Sequence, residues 1–401
     1  MSMSARAVSD LSLILAPISA TDFFRQYWEQ TPIHIGRNDP RHFSHVLQLA
    51  QIESLLSTQE LRYPAVQLIR RQAPVALSSY ADGADTIIPL RLAEQYRDGA
   101  TIVISQAQRL ITSLADFRRR VQCALQLRCQ TNLYLSPAES QGFDAHYDSH
   151  DVFILQVQGS KTFNFYAGGV VLPYDHESFD PERHKAGELT ESITVQAGDT
   201  LYIPRGIMHD AVARDEASLH ITLGVYALTL RDTLLEMADR LTHRDPRYRC
   251  SLWNPPAWLD ADGPVASAAA TPRSMDVLLS SPSFRLEDQL EAVCSLLDDI
   301  ALDSAQQCAG SLAGEMPAFC TRSVISLKEA DQCTAQRQGS TVRYRLPGQV
   351  LEFPDPLGNA LDQLLQRQRM VVGDWDGLSE DQQLALCDRL WRANLIELDD
   401  V

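Results

Sequence analysis

Apolar positions along the chain change period several times, and the changes mark out its elements. Phe23, Phe24, Tyr27 and Trp28 recur at helical spacing, with Thr21 expected as the N-cap. Pro32 then releases the chain into a short strand, Ile33 to Ile35. A second helix is predicted near Val46 to Leu56, strands at Val66 to Ile69 and Thr101 to Ser105, a helix from Leu114 to Leu125 and a strand from Leu127 to Leu135. This mixed lead-in is expected to flank a barrel and cover its open side.

From Val152 the pattern changes to short apolar strands with turns at regular intervals: Val152 to Val157, Lys161 to Tyr166, Ser192 to Val195, Leu201 to Ile203 and Ser218 to Tyr226. Gln158-Gly159-Ser160 and Ala197-Gly198-Asp199 supply turns. Many short antiparallel strands with glycine turns predict a jelly-roll cupin, a double-stranded β-helix within a chain of mixed α and β. Gly168 to Glu191 is a longer polar insertion, placed over the barrel mouth.

After Leu228 the helical period returns. Leu230, Leu234, Met237 and Leu241 form one stripe, and Leu286, Leu290, Val293, Leu297 and Ile300 form another with near-heptad steps. Asn254 to Arg273 between them reads as a linker. From about Pro317, strands Thr341 to Leu346 and Gln349 to Phe353 flank Pro347-Gly348, followed by a helix over Leu357 to Leu365. A last helix is announced by Ser379 and Gln382 at capping-box spacing, and Leu395 to Leu398 closes as a strand. Helices with a small hairpin predict a winged helix. The expected domains are 1–228, a cupin catalytic domain with its lead-in; 229–316, helical; and 317–401, the winged helix.

Composition narrows the function classes. The 401 residues are 45% hydrophobic and 22% charged, as in ordinary folded domains. A net charge of -17 opposes attraction to nucleic-acid phosphates or anionic lipid and favours a basic partner. From Pro317 to Val401 there are thirteen acidic against nine basic residues, which argues against direct DNA binding. The eight cysteines are scattered with no Cys-x-x-Cys pair, the usage of reduced thiols in a cytoplasmic protein. Leu11 to Ile18, interrupted by Pro17, reads as structure rather than a leader, and no run reaches membrane-spanning length.

The candidate chemistry centres on His146, Asp148 and His209. Residues two apart on an extended segment leave on one face, so His146 and Asp148 present an imidazole and a carboxylate side by side. His209 follows the strand Asp199 to Ile203 and a Pro204-Arg205-Gly206 turn. Two histidines and a carboxylate with other positions open are the ligand set of non-heme Fe(II) oxygenases. His-x-Asp by itself also suits a surface or capping pair. Its place before the first barrel strand, and the unit Gly-Asp-x-Leu-x-x-Pro-x-Gly-x-x-His, favour the metal. His150 and His220 are rival ligands, and His220 is placed outside the triad but beside it.

Lys161 shares parity with Phe163 and Phe165 and is expected to point inwards. A lysine inside an apolar barrel is costly unless an anion meets it; the alternative is a side chain that snorkels to water. A dicarboxylate chelating iron through a keto acid end would set its far carboxylate there. Asn132 and Tyr134 share a face of the preceding strand and are placed to hydrogen-bond the same ligand, although Tyr134 is equally read as core with its hydroxyl at the rim.

Asn132-Leu133-Tyr134-Leu135-Ser136-Pro137, Ser140-Gln141-Gly142-Phe143, His146-Tyr147-Asp148 and the run Val152 to Lys161 resemble the JmjC ribosomal oxygenases. The lead-in Asp22 to Pro32 is similar to theirs, as is the order barrel, helical dimerisation segment, winged helix. The resemblance implies Fe(II) at His146, Asp148 and His209, and 2-oxoglutarate at Lys161 with help from Asn132, with O2 as the second co-substrate. It implies hydroxylation of a His or Arg side chain of a ribosomal protein by a homodimer. His150-Asp151 departs from the family pattern beside the triad and bears on the substrate pocket. Other readings are a JmjC-type oxygenase acting on methyl-lysine, a tRNA base or another peptide, and a non-catalytic metal-binding cupin or winged-helix regulator.

Overall fold

A computed structural model describes residues 11–70, 73–244, 293, 296, 319–327, 334–338, 341–346, 349–393 and 395–399. The chain divides into two compact units, Met1–Ala227 with Ala301–Val401, and Leu228–Ile300. No helix among the described residues is long and apolar enough to cross a membrane.

Two antiparallel sheets make the barrel. The larger contains β1 (Ile33–Ile35), β2 (Val66–Arg70), β3 (Ala73–Pro74), β4 (Thr101–Ile104), β5 (Arg128–Ser136), β7 (Asp151–Gln158), β10 (Thr200–Ile203) and β12 (Ser218–Tyr226), in the order β1-β10-β7-β12-β5-β4-β2-β3. The smaller contains β6 (Ser140–Gln141), β8 (Ser160–Gly169), β9 (Leu189–Gln196) and β11 (Ile207–Ala213), in the order β6-β11-β8-β9. Alternation along β7 sorts the core into two layers. Val152 and Ile154 join Phe163, Phe165, Val195 and Leu201 between the sheets, whereas Phe153 and Leu155 join Leu133, Ile221, Leu223 and the lead-in.

The lead-in is more intimate with the barrel than a cover over its open side. It adds β1 at one edge of the larger sheet and β4, β2 and β3 at the other. Its helices Ala20–Gln26, Leu49–Thr58, Pro89–Arg97 and Thr112–Leu125 contribute Phe23, Leu55, Leu92 and Phe117 to the same buried layer. Ser19 rather than Thr21 caps the first helix, its Oγ accepting the Asp22 N–H at 3.1 Å. Thr21 is the second residue of the helix, and the Phe23 N–H two residues on already donates to the Ser19 carbonyl at 2.9 Å. The second helix starts at Leu49, because Val46 and Leu47 are buried in the preceding turn and Gln48 and Gln51 cap each other.

In the second unit the helix Leu230–Arg244 buries Met237 but leaves Leu230, Leu234 and Leu235 exposed. The linker Asn254 to Arg273, and Leu286, Leu290, Leu297 and Ile300 of the near-heptad stripe, lie outside the described residues.

The carboxy-terminal part has its own core. One sheet is β17-β13-β18 (Arg369–Val371, Val324–Leu327, Ile396–Leu398) and another β14-β15-β16 (Thr334–Gln338, Thr341–Leu346, Gln349–Pro354). The helices Asp355–Arg367 and Glu380–Arg392 bury Leu361, Leu364, Leu386 and Leu390 with Ile325, Tyr344 and Phe353. The expected capping box is present: Ser379 Oγ accepts the Gln382 N–H, and the Gln382 side chain accepts the Ser379 N–H at 2.9 Å.

Candidate metal centre

The three predicted residues meet. His146 and Asp148 precede β7, and His209 lies in β11, a strand the alternation did not reveal because His209 and Asp210 interrupt its apolar run. Each residue offers one ligand atom, and these atoms lie within 4.8 Å of one another. His209 Nε2 is 3.8 Å from Asp148 Oδ2, and the two imidazole centroids are 4.9 Å apart.

Backbone bonds hold this arrangement. The His146 N–H donates to the His209 carbonyl at 2.9 Å and the His209 N–H to the His146 carbonyl at 2.7 Å. The Gly206 N–H donates to the Asp148 carbonyl at 2.9 Å. Gly206 sits at φ +85, where a Cβ would stand 1.8 Å from the Val170 oxygen, so the turn needs glycine.

The imidazoles are oriented for metal. His146 Nδ1 lies 2.7 Å from the Asp144 carbonyl and His209 Nδ1 2.9 Å from the Ile207 carbonyl. A carbonyl only accepts, so Nδ1 carries the proton in each ring and Nε2 keeps its lone pair. Burial pushes the His209 pKa down, with His146 adding to the effect against the pull of Asp148. Burial raises that of Asp148, but His150, His146 and His209 outweigh it and the net direction is down. Both shifts favour the ligating forms, a neutral imidazole and a carboxylate.

A cavity of about 90 Å³ runs inward from the triad and is lined by Asn132, Tyr134, Lys161, Phe163, His220 and Thr222 among others. Lys161 points inwards as its parity predicts and is 3% exposed. Its Nζ donates to Ser136 Oγ at 3.1 Å and lies 5.9 Å from the Tyr134 ring centroid. Among the described residues no carboxylate pairs with it, and burial pushes its pKa down to about 8. Asn132 Oδ1 accepts the Gln106 N–H at 2.9 Å, which leaves the amide NH2 as the end for the cavity.

His220 also lines the cavity, stacked on Tyr134 at 5.0 Å, and its buried Nδ1 has no hydrogen-bond partner among the described residues. It is not one of the converging ligand residues. His150 lines another wall and stacks on Tyr226 at 4.8 Å. Thr222 escaped the sequence reading, although its parity with His220 on β12 places it on the same face. The insertion begins past Gly169 and is pinned to the ligand segment, Tyr147 Oη donating to the Glu177 carbonyl at 3.3 Å and Ser149 Oγ to that of Asp175 at 3.1 Å.

Residues 103–233 match the JmjC domain family. The chain contains a JmjC domain. That span includes all of Asn132, Tyr134, His146, Asp148, Lys161 and His209. The bifunctional lysine-specific demethylase and histidyl-hydroxylase NO66 of Drosophila persimilis is 29% identical over 234 residues, 56% of this chain and 33% of that protein. Ribosomal oxygenase 2 of Rattus norvegicus is 33% identical over 220 residues, 53% of this chain and 46% of that protein. The matched regions thus span one third to just under one half of these relatives' lengths. The solved structure of Escherichia coli ycfD covers 95% of this chain and 98% of its own, with a TM-score of 0.51 and 18% identity. The Escherichia coli ribosomal oxygenase YcfD in complex with cobalt and 2-oxoglutarate covers 96% and 99%, with a TM-score of 0.50 and 18% identity. At these identities the likeness is one of fold, and the JmjC domain here is of cupin type, with antiparallel sheets and flanking helices.

Proposed function

We propose that this protein is a 2-oxoglutarate-dependent oxygenase that hydroxylates a side chain, His or Arg, of a ribosomal protein. The observation that carries the reading is a single cavity lined by the His-Asp-His cluster and by Lys161, which is buried with no carboxylate partner among the described residues. His146, Asp148 and His209 would hold Fe(II). The bound iron would supply activation of O2 coupled to decarboxylation of 2-oxoglutarate, yielding succinate, CO2 and oxygen transfer to a C–H bond. Lys161 meets the far carboxylate as a point charge, while the Asn132 amide and the Tyr134 hydroxyl orient the same molecule.

The names of the relatives support the substrate class: one is a histidyl-hydroxylase, another a ribosomal oxygenase, and the solved neighbour is a ribosomal oxygenase. A net charge of -17 suits a basic protein substrate. The domain layout 1–228, 229–316 and 317–401, with a helical dimerisation segment and a winged helix, belongs to this proposal. The exposed Leu230, Leu234 and Leu235 support a homodimer. The scattered cysteines, with no Cys-x-x-Cys pair among the eight, support action in the cytoplasm.

Lysine demethylation is the second reading, because the name of one relative includes it. Intact mass spectrometry of ribosomal proteins from deletion and wild-type strains separates the two. Loss of one oxygen from a single ribosomal protein in the deletion supports hydroxylation. Unchanged ribosomal proteins, together with loss of methyl groups from a methyl-lysine peptide in vitro, would replace it with demethylation.

A further inference from the structure

A second group of charged side chains, outside the triad, joins Arg205, Asp151 and Glu29. Arg205 Nη1 donates to Asp151 Oδ2 at 2.7 Å and to Glu29 Oε1 at 2.5 Å. The other Asp151 oxygen accepts the Tyr202 hydroxyl at 2.6 Å, and that hydroxyl accepts the Glu29 N–H at 2.9 Å. The circuit closes on itself: Arg205, Asp151, Tyr202, Glu29, and back to Arg205. Asp151 is 0% and Arg205 6% exposed. Tyr202 is held among Phe23, Trp28 and Phe153, with ring centroids 4.9, 5.7 and 5.0 Å away.

The position of this circuit matters more than its strength. β10 and β7 remain paired as far as Ile203 and Val152; β10 ends there, while β7 has one further residue, Asp151, which pairs with Val225 of β12. One continues through Arg205 to His209, and the other is entered from Asp148 through Asp151. Beyond the last pair, the next backbone links are Gly206 to Asp148 and the mutual bonds of His146 and His209. The Arg205–Asp151 pair spans the point at which the two ligand segments leave the β7–β10 pairing. Glu29, delivered from just beyond the helix Ala20–Gln26, fixes the guanidinium from a third direction.

A buried ion pair is a weak device for stability, since apolar residues of similar volume commonly do as well. Its distinctive property is direction: a carboxylate and a guanidinium bond at set angles and lengths. We propose that Arg205, Asp151 and Glu29 form a positioning clamp that sets the spacing between the Asp148 and His209 segments, so that metal affinity depends on residues outside the ligand set. This inference rests on reading the triad as a metal centre. Glu29 extends the dependence to the amino-terminal lead-in.

Co(II) titration of the full-length protein, followed by the cobalt absorption spectrum alongside thermal melting of the metal-free form, tests it. Glu29→Gln and Arg205→Lys are expected to weaken Co(II) binding about tenfold, as partners outside a ligand set typically do, and to shift the spectrum. The barrel should remain folded by circular dichroism. Glu29 has a side chain 32% exposed, so Glu29→Gln decides the matter even if Arg205→Lys does not fold. Variants with a lowered melting temperature but wild-type cobalt affinity and spectrum would overturn the clamp. Separately, a wild-type protein that gives no cobalt spectrum, or a His209→Ala variant that keeps it, would overturn the metal centre itself.

Discussion

His146 and His209 are bonded to each other through their backbones in both directions, at 2.9 and 2.7 Å, while their Nδ1 atoms are tied to separate carbonyls. The side chains therefore converge without either one holding the other in place. Removing an imidazole leaves the backbone bridge intact, which makes the site separable from the fold. His146→Ala, Asp148→Ala and His209→Ala are each expected to abolish activity and to weaken iron binding by more than the roughly 10–100-fold that outer partners cost. His220→Ala should retain iron. Iron titration of the four variants checks this, and wild-type affinity in His209→Ala would show a wrong third ligand.

Lys161 sets a pH dependence. Its folded pKa of about 8 lies below the ordinary 10.5 because burial disfavours the ammonium. The unfolded chain binds this proton more tightly, so the penalty is fully present below about pH 8 and is relieved as pH rises towards 10.5. It amounts to about 3 kcal/mol. Lys161→Met should therefore raise the melting temperature of the metal-free protein at pH 7 while raising the 2-oxoglutarate requirement strongly. In the wild type the 2-oxoglutarate KM should climb above pH 8, and in Lys161→Ala it should stay high and flat. Equal melting temperatures and an unchanged KM would remove Lys161 from this role.

Gly206→Ala would place a methyl group 1.8 Å from the Val170 oxygen at φ +85. Strain of this kind costs about 1–3 kcal/mol before the clash is added. Because the Gly206 N–H also holds the Asp148 carbonyl, the variant should lose metal affinity as well as thermal stability. Calorimetry with and without Co(II) measures both. A full-affinity variant would mean the turn does not transmit to Asp148.

The helix Leu230–Arg244 exposes Leu234 at 45% and Leu235 at 52%. Replacing both by Glu should convert a dimer to a monomer by light scattering, with cobalt binding unchanged, because an interface cannot hydrate the charges. A wild-type protein already monomeric at micromolar concentration would defeat this expectation.

The His146–Asp148 spacing and the inward parity of Lys161 were legible in the sequence because both follow from the two-residue repeat of an extended chain, and most barrel strands because they are short apolar runs bounded by glycine turns. Asn132, Tyr134 and Lys161 could be assigned to a common cavity in the same way. The carrier strand of His209 was not legible, since Ile207–Ala213 has no clean alternation and pairs through a register shift with β8. Nor was the circuit of Glu29, Asp151, Tyr202 and Arg205, whose members are distant in sequence and meet only because β10 pairs with β7 and the lead-in packs on Tyr202. Local periodicity determines which face a side chain leaves from. Only the pairing of distant strands decides which faces meet, and here that pairing brings the carboxylate of Asp148 within 3.8 Å of His209.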